Sequence, residues 1–517
     1  MRLPNPFRKR RTPASAADVD AWIAANTYLV GGLPVPTRLA EFDFVVSGGK
    51  GTGKTTAMKA MMTSHVDAMI ASNQQFNMNC YSPKPDDFYP MLKQLYEPLG
   101  VRVIATNPFM KESWAWDGAG TLSDPVRIDE LVNVAIKEDQ NDSNPFFKKA
   151  AKLVVRGVIQ SLAATHPGLW TMRHVVNCLK EMELAVQVLD RYEPTRYVSS
   201  LLASDQGRAA ANLKATILTE LVRLELVASL IDRTPDDRLY SIEQAAHEPG
   251  VIWVWGSDPR FNTLVEPWNA IQLELLGHEL LIRGDVGVET LLYIDEFPQL
   301  SAGGGQKLAM ITKLLEYGRS SRVRSTLAVQ TPAQVVSVYG EKEAETLLGQ
   351  CHGFMAFGHA DEFGRKYWSA RLGRERGFEE RRGGSATVGG NFTGGKQPSW
   401  GSNWSQTRNV NIERFDLERV SPSEIGDLPV GTYEFGMHGY ASVPLSLDRD
   451  PATGAPEPIR WRFHLTPDWI ARNVPRTQKF RPYARSLKPT EAYALKPLEP
   501  WEYGFLGLTR PGSRRKS

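Results

Sequence analysis

Cysteine is scarce in this chain. There are three in 517 residues, Cys80, Cys178 and Cys351, and no two form a Cys-x-x-Cys pair. That excludes a disulfide framework and a thiolate metal site, and it suits a reducing compartment. Long apolar runs are missing as well. None approaches the roughly 18 residues that cross a bilayer. The basic start is followed by "TPASAADVDAW" and not by an apolar signal core, so a secretory leader is not expected either. Net charge is small, +3 from 61 basic and 58 acidic residues, which excludes a chain that is basic throughout. No internal repeat is visible, which argues against a solenoid.

What charge there is collects at the ends. "MRLPNPFRKRR" carries Arg2, Arg8, Lys9, Arg10 and Arg11 without an acid, and "RPGSRRKS" closes the chain with four more basic groups. Such ends suit acidic partners, nucleic acid or anionic lipid, or are simply solvated tails. With 42% apolar and 23% charged residues the bulk is expected to be globular, with two to four domains.

Seven short runs are apolar almost throughout: "FDFVV" (42–46), "FNMNCY" (76–81), "VRVIA" (101–105), "VIWVW" (251–255), "LLYID" (291–295), "STLAVQ" (325–330) and "FMAFG" (354–358). Continuous apolar runs separated by helical pattern predict strands buried on both faces, hence a mainly parallel α/β sheet. Between the third and fourth runs the pattern is helical. Phe147, Ala151, Val154, Val158 and Leu162 recur at helical spacing, as do Ile217, Leu221, Leu224, Ala228 and Ile231. The expected organisation is a basic segment 1–38, an α/β domain over 39–124, an inserted all-α domain over 125–235, and the α/β domain again over 236–372. A flexible Gly/Ser-rich loop over 373–412 follows, then a return to the α/β domain over 413–470 with a last pair of strands in "PVGTYEFGMHGYASVPLSL", and a basic, Pro-rich tail over 471–517.

The chemistry concentrates in "VVSGGKGTGKTTAMKAMM" (45–62). Gly48, Gly49, Lys50, Gly51, Thr52, Gly53, Lys54 and Thr55 fill the pattern GxxxxGK[ST], and Thr56 beside them is counted with the phosphate-binding residues; a buried-strand run precedes the pattern and helix formers follow it. Glycines let backbone N–H groups approach phosphate oxygens, and the helix that follows aims its positive end at the same place. Lys54 supplies a point charge for the β- and γ-phosphates. The Thr55 hydroxyl offers a position to Mg²⁺. The predicted ligands are therefore ATP and Mg²⁺. "TLLYIDEFPQL" (290–300) adds an acidic strand end, with Asp295 to hold the metal and Glu296 to polarise an attacking water. Gln330, at the end of another strand, could sense the γ-phosphate, orient the water, or merely cap the strand. Arg319, in "EYGRSSRVRS", could serve as an arginine finger for a neighbour's nucleotide. It, Arg322 and Arg324 could instead be surface cations or contacts to DNA phosphates, together with the arginines of "RERGFEERRGG". Trp114 and Trp116 could stack bases, but core packing is the simpler expectation.

The whole pattern resembles the type IV coupling proteins, the TraG/TraD-like ATPases of bacterial conjugation and secretion, over about residues 40–450. "DEFPQL" (295–300) is similar to their acidic motif. The stretch 315–358 is similar to their arginine–glutamine block, through Arg319, Gln330, Ala333, Gln334, Tyr339 and Gly340. "CYSPKPDDFYPML" (80–92) resembles their DPK segment, with Lys84 kept and Ser82 where Asp is usual. "SNPFFKKAAKLVVRGVI" (143–159) resembles the start of their all-α insertion, and "VSPSEIGDLPVGTY" (420–433) the segment that closes their motor domain. The resemblance implies a RecA-like P-loop ATPase domain with an inserted all-α domain, working as a homo-hexamer. ATP hydrolysis would drive relaxase-bound, single-stranded DNA toward the secretion channel. It further implies a cytoplasmic protein recruited to the inner face of the inner membrane. Most members begin with transmembrane helices and this sequence shows none, so a separate membrane anchor protein or lipid docking of the basic start is expected. The run Gly303-Gly304-Gly305 is also unusual. Two other readings stand beside this one: a cytosolic double-stranded DNA translocase, and an adaptor that uses nucleotide only to assemble and recruits protein substrates. The adaptor has no need of Glu296.

Overall fold

The seven apolar runs become seven strands, and each is buried from end to end or nearly so. They are β1 (Phe44–Ser47), β2 (Phe76–Ser82), β3 (Arg102–Ala105), β4 (Val251–Gly256), β5 (Glu289–Ile294), β6 (Val323–Val329) and β7 (Gly353–Ala356). In the computed structural model all seven pair in parallel. The structure describes residues 16–84, 88–136, 145–203, 208–256, 262–302, 307–393, 399–444, 458–475, 488, 491 and 494–511. The basic start, the Gly303–Gly305 run and the last six residues lie outside these.

A long antiparallel ribbon of β8 (Arg374–Thr393) and β9 (Ser399–Glu418) follows β7. Two further strands, β10 (Met437–Val443) and β11 (Ile459–Leu465), then close the main sheet antiparallel. The sheet order is β11-β10-β7-β1-β6-β5-β2-β4-β3. β1, which feeds the phosphate loop, is therefore flanked by β6 and β7, and the acidic strand β5 is one place further along. Order decides function here, because the loops at the carboxyl ends of β1, β6 and β5 must be neighbours.

Helix α1 (Lys54–Ala71) packs on the sheet through Met58, Met61, Met62 and Val66, each buried. The helical stretch becomes α2 (Pro125–Ala135), α3 (Pro145–Thr165), α4 (Met172–Lys180), α5 (Met182–Arg191), α6 (Arg196–Ala203) and α7 (Arg208–Ile231). Val154, Val158, Leu162, Ile217, Leu221 and Leu224 are buried as the spacing predicts, while Phe147 and Ile231 are only half-buried. A Cβ on Gly157 would stand 2.6 Å from Leu189 Cδ2, so α3 and α5 approach closely there and a larger residue would have to displace that methyl. Arg127 of α2 pairs with Glu243 and Glu279 and so ties the helices to the α/β core. The fold is a RecA-like P-loop domain with an inserted all-α domain.

Four expectations need correction. The span 373–412, expected as a flexible loop, is mostly the β8–β9 ribbon, whose strands pair from Arg374 with Glu418 to Thr393 with Ser399. Glycine and polar composition misled there, because a two-stranded ribbon can satisfy its backbone without a one-sided apolar pattern. The ribbon belongs to a second compact unit, residues 358–428, with the helices Glu362–Leu372 and Pro422–Gly426. Among the described residues the stretch 429–444 holds one strand, not two; its neighbours in the sheet are β7 and β11. The α/β core begins at Thr27, before the expected boundary at 39. The hairpin Thr27–Val30/Leu33–Pro36 buries Tyr28 and Val30, and Tyr28 stacks on His65 of α1 at 4.6 Å. Finally, the tail is not extended throughout. Residues 494–511 carry helix α8 (Pro500–Phe505) and lie against the all-α domain. Among the described residues no helix is long and apolar enough to cross a membrane.

Candidate nucleotide site

The phosphate loop leaves β1 at Ser47, and Gly48 N donates to Val329 O of β6 at 3.3 Å. Gly51 and Gly53 hold positive φ, 77° and 106°, where a Cβ would be strained. Contact adds to this at two positions. A Cβ on Gly48 would fall 2.6 Å from Phe357 Cβ, and one on Gly53 2.4 Å from Met437 Sδ. Gly53 caps α1, so the free N–H groups of the first turn, through Thr55 and Thr56, face the loop's concavity. Lys50 is exposed, and the Thr52 hydroxyl donates to Gly49 O at 2.8 Å. Lys54 is buried, and its Nζ donates to Gly48 O at 2.7 Å and Gly49 O at 3.3 Å. Burial lowers its pKa from the usual lysine value and Lys84 works in the same direction, while Glu296 and Asp295 oppose them.

The acidic strand end meets this loop. Asp295 is buried, and its N–H donates to Tyr81 O of β2 at 3.0 Å. The Thr55 hydroxyl donates to Asp295 Oδ2 at 3.1 Å. Two hard oxygen donors side by side suit Mg²⁺, which takes few protein ligands and keeps phosphate and water oxygens. Glu296 adopts φ 50°, a left-handed conformation rare outside glycine. Its N–H donates to Asp295 Oδ1 at 3.0 Å, and Gln330 Nε2 donates to Glu296 Oε1 at 3.1 Å. The second carboxylate oxygen, Oε2, is buried without a hydrogen-bond partner. Gln334 Nε2 reaches Gln330 Oε1 at 3.5 Å. Thus Thr55, Asp295, Glu296 and Gln330 form one connected chain of contacts beside Lys54. The backbone strain at Glu296 is of the kind concentrated at functional sites.

Arg319 does not join them. It sits before β6, at the opposite end of that strand from Gln330, with its guanidinium 3.1 Å from Glu41 and over the Phe42 ring at 5.1 Å. It lines an open cleft of about 690 Å³ with Glu41, Glu289, Arg322 and Arg324. Arg324 is not an available DNA contact. It is buried and paired with Glu289 at 3.0 Å, while Arg322 pairs with Asp285 at 2.6 Å. The remaining arginines proposed for DNA lie in the ribbon, where side chains beyond Arg374 are outside the described set. Trp116 is core, 5.3 Å from Trp268, and Trp114 is half-buried against Trp253.

One component escaped the sequence reading. The turn Pro429–Gly436 runs against the phosphate loop: a Cβ on Gly431 would lie 2.6 Å from Thr52 O, and one on Gly51 3.6 Å from Val430 Cγ1. The likeness of 420–433 to the segment that closes the coupling proteins' motor domain, and the glycines Gly431 and Gly436, do not by themselves say which backbone approaches which.

Fold and site together define a RecA-like P-loop protein of the branch that pairs its phosphate loop with adjacent acids. Residues 27–448 match the family model described as the type IV secretion-system coupling protein DNA-binding domain, and the chain belongs to that family. No curated protein matches it by sequence. Among solved structures it is similar to the unbound bacterial conjugative coupling protein TrwB, at 16% identity over 88% of this chain and 91% of that one, with a TM-score of 0.62. Similar values hold for TrwB with the ATP analogue ADPNP (17%, 88% and 91%, 0.61) and for TrwB with ADP and Mg²⁺ (17%, 89% and 92%, 0.61). At such identity the likeness supports the fold.

Proposed function

We propose that the protein binds ATP with Mg²⁺ at the phosphate loop and hydrolyses it, using the energy to move DNA into a type IV secretion channel. The observation that carries this is the contact chain Thr55–Asp295–Glu296–Gln330 beside Lys54. TrwB structures with ADPNP and with ADP and Mg²⁺ support the choice of ligands. The loop amides and Lys54 hold the β- and γ-phosphates, with Lys54 exchanging its contacts to Gly48 O and Gly49 O for phosphate oxygens. Thr55 and Asp295 hold Mg²⁺, which when bound neutralises charge on the phosphates. Glu296 takes a proton from the attacking water, and Gln330 fixes the carboxylate through Oε1 and leaves Oε2 for that water.

We propose further that the chain works as a homo-hexamer, that Arg319 reaches a neighbour's nucleotide, and that the cargo is a relaxase with its single strand. The placement of Arg319 away from its own chain's loop, and its exposure, support a role in trans. The adaptor reading leaves the strained Glu296, with its buried and unpartnered Oε2, without a use. Replacing Lys54 with Ala tests the core of this: nucleotide turnover and DNA transfer should both fall to background, with the fold intact by circular dichroism. An unchanged rate would refute it.

A further inference from the structure

Two large aromatic side chains stand in solvent beside the phosphate loop, and the core has no use for them. Tyr433 is 67% exposed and Phe435 69%. Their turn is tightly built. Thr432 N donates to Gly436 O at 3.1 Å, Gly436 N to Thr432 O at 2.8 Å, and Phe435 N to Thr432 Oγ1 at 2.9 Å. His464 of β11 contacts Phe435 O at 3.1 Å. At its base, Gly436 holds φ 82°, where a Cβ would meet Leu465 O at 2.5 Å. The other end is pinned to the loop itself, Gly431 against Thr52 and Val430 against Gly51. A rigid turn thus presents two exposed rings within two to four residues of a backbone contact with the phosphate cradle.

The geometry points to Tyr433 and Phe435 as a stacking platform for the base of the nucleotide whose phosphates the loop holds. This rests on the proposed ATP site and adds the part of the ligand that the site leaves unassigned. A nucleoside triphosphate extends beyond its phosphates by a ribose and an aromatic base, and the loop, Lys54, Asp295 and Glu296 account only for phosphate, metal and water. Exposed rings are costly in water, and a base face is their natural partner. Each stacked base is worth about 1–3 kcal/mol when an aromatic is truncated to alanine. Because both side chains are exposed, their removal leaves the core packing untouched.

The test compares two probes on the full-length protein with Mg²⁺: ADPNP, which has a base, and inorganic tripolyphosphate, which has none. Calorimetry on Tyr433→Ala/Phe435→Ala should show ADPNP binding weakened roughly 10- to 100-fold, with tripolyphosphate within twofold of the parent protein. Tyr433→Phe/Phe435→Tyr should restore ADPNP affinity. ADPNP affinity within twofold of the parent overturns the platform, whether or not sedimentation shows that the rings pack between copies of the chain. Parallel weakening of both probes also overturns it, since the turn would then merely shape the phosphate loop. If the parent protein binds neither probe, it is the underlying nucleotide site that fails.

Discussion

Glu502 offers a sharp energetic test, because it anchors the C-terminal segment to the all-α domain. Its side chain is 2% exposed and paired with Arg173, and His174 Nε2 lies 3.0 Å from Oε1. Its other oxygen accepts from Glu499 N at 2.6 Å and so caps α8. Replacing it with Ala strands Arg173, but Asp232 remains 2.8 Å from that guanidinium. Breaking a buried pair costs about 3–5 kcal/mol, and the residual partner argues for the low end. About 3 kcal/mol is a factor of roughly 100 in the opening equilibrium. The assay is native-state hydrogen exchange. The amides of Leu506 and Leu508, bonded to Glu502 O at 2.8 Å and Tyr503 O at 2.6 Å, should lose about 100-fold in protection. Amides around Leu162 in α3 should barely change. A twofold effect at Leu506, or equal loss throughout α3, would refute the reasoning. Acid should mimic the substitution. Burial pushes the Glu502 pKa up, but hydrogen bonds from Arg173, Glu499 N and His174 bring it below the usual value. Burial likewise lowers that of His174, against the pull of Glu502. Both groups therefore contribute stability that is complete above their unfolded pKa values. It is lost as pH falls, for His174 from 6.5 downward and for Glu502 from 4.5 downward.

Gln330→Ala should reduce kcat by roughly 10- to 100-fold with little change in ADPNP affinity, because it frees Glu296 without touching the phosphate loop; steady-state kinetics beside calorimetry checks it. Gly53→Ala should abolish nucleotide binding, since the new methyl meets Met437 Sδ at 2.4 Å in a left-handed backbone, and retained ADPNP binding would contradict the cradle geometry. Gly157→Ala should lower stability by about 1–3 kcal/mol through overpacking on Leu189, read as the denaturation midpoint, with turnover per folded molecule unchanged. DNA affinity should fall steeply with salt and show little sequence preference; a salt-insensitive, sequence-specific complex would argue against a backbone-tracking motor.

The parts legible in sequence were those in which one short stretch carries the whole signal. β4 reads "VIWVWG", is buried along its length, and could be found from composition alone. Gly48–Thr55 announced the loop because phosphate binding demands glycine, lysine and hydroxyl at fixed spacing. Asp295 and Glu296 followed from their place at the end of a buried strand. What stayed hidden depends on partners distant in the chain. The β8–β9 ribbon pairs residues up to 44 apart, Arg374 with Glu418, and its glycine-rich strands carry no period. Glu502 looked like one acid in a basic tail, because Arg173 and His174 lie more than 300 residues earlier. The turn at Gly431 touches a loop that precedes it by some 380 residues, and no local pattern encodes that approach.

The most direct measurement is single-turnover ATP hydrolysis by Glu296→Gln beside the parent chain, with ADPNP affinity measured in parallel. The amide can still take the hydrogen bond of Gln330 but cannot accept a proton from water. Cleavage should slow by about 100- to 10,000-fold while ADPNP binds within threefold of the parent. Cleavage at the parental rate would show that the acid beside Asp295 is not the group that activates water, and the account of this site would fall.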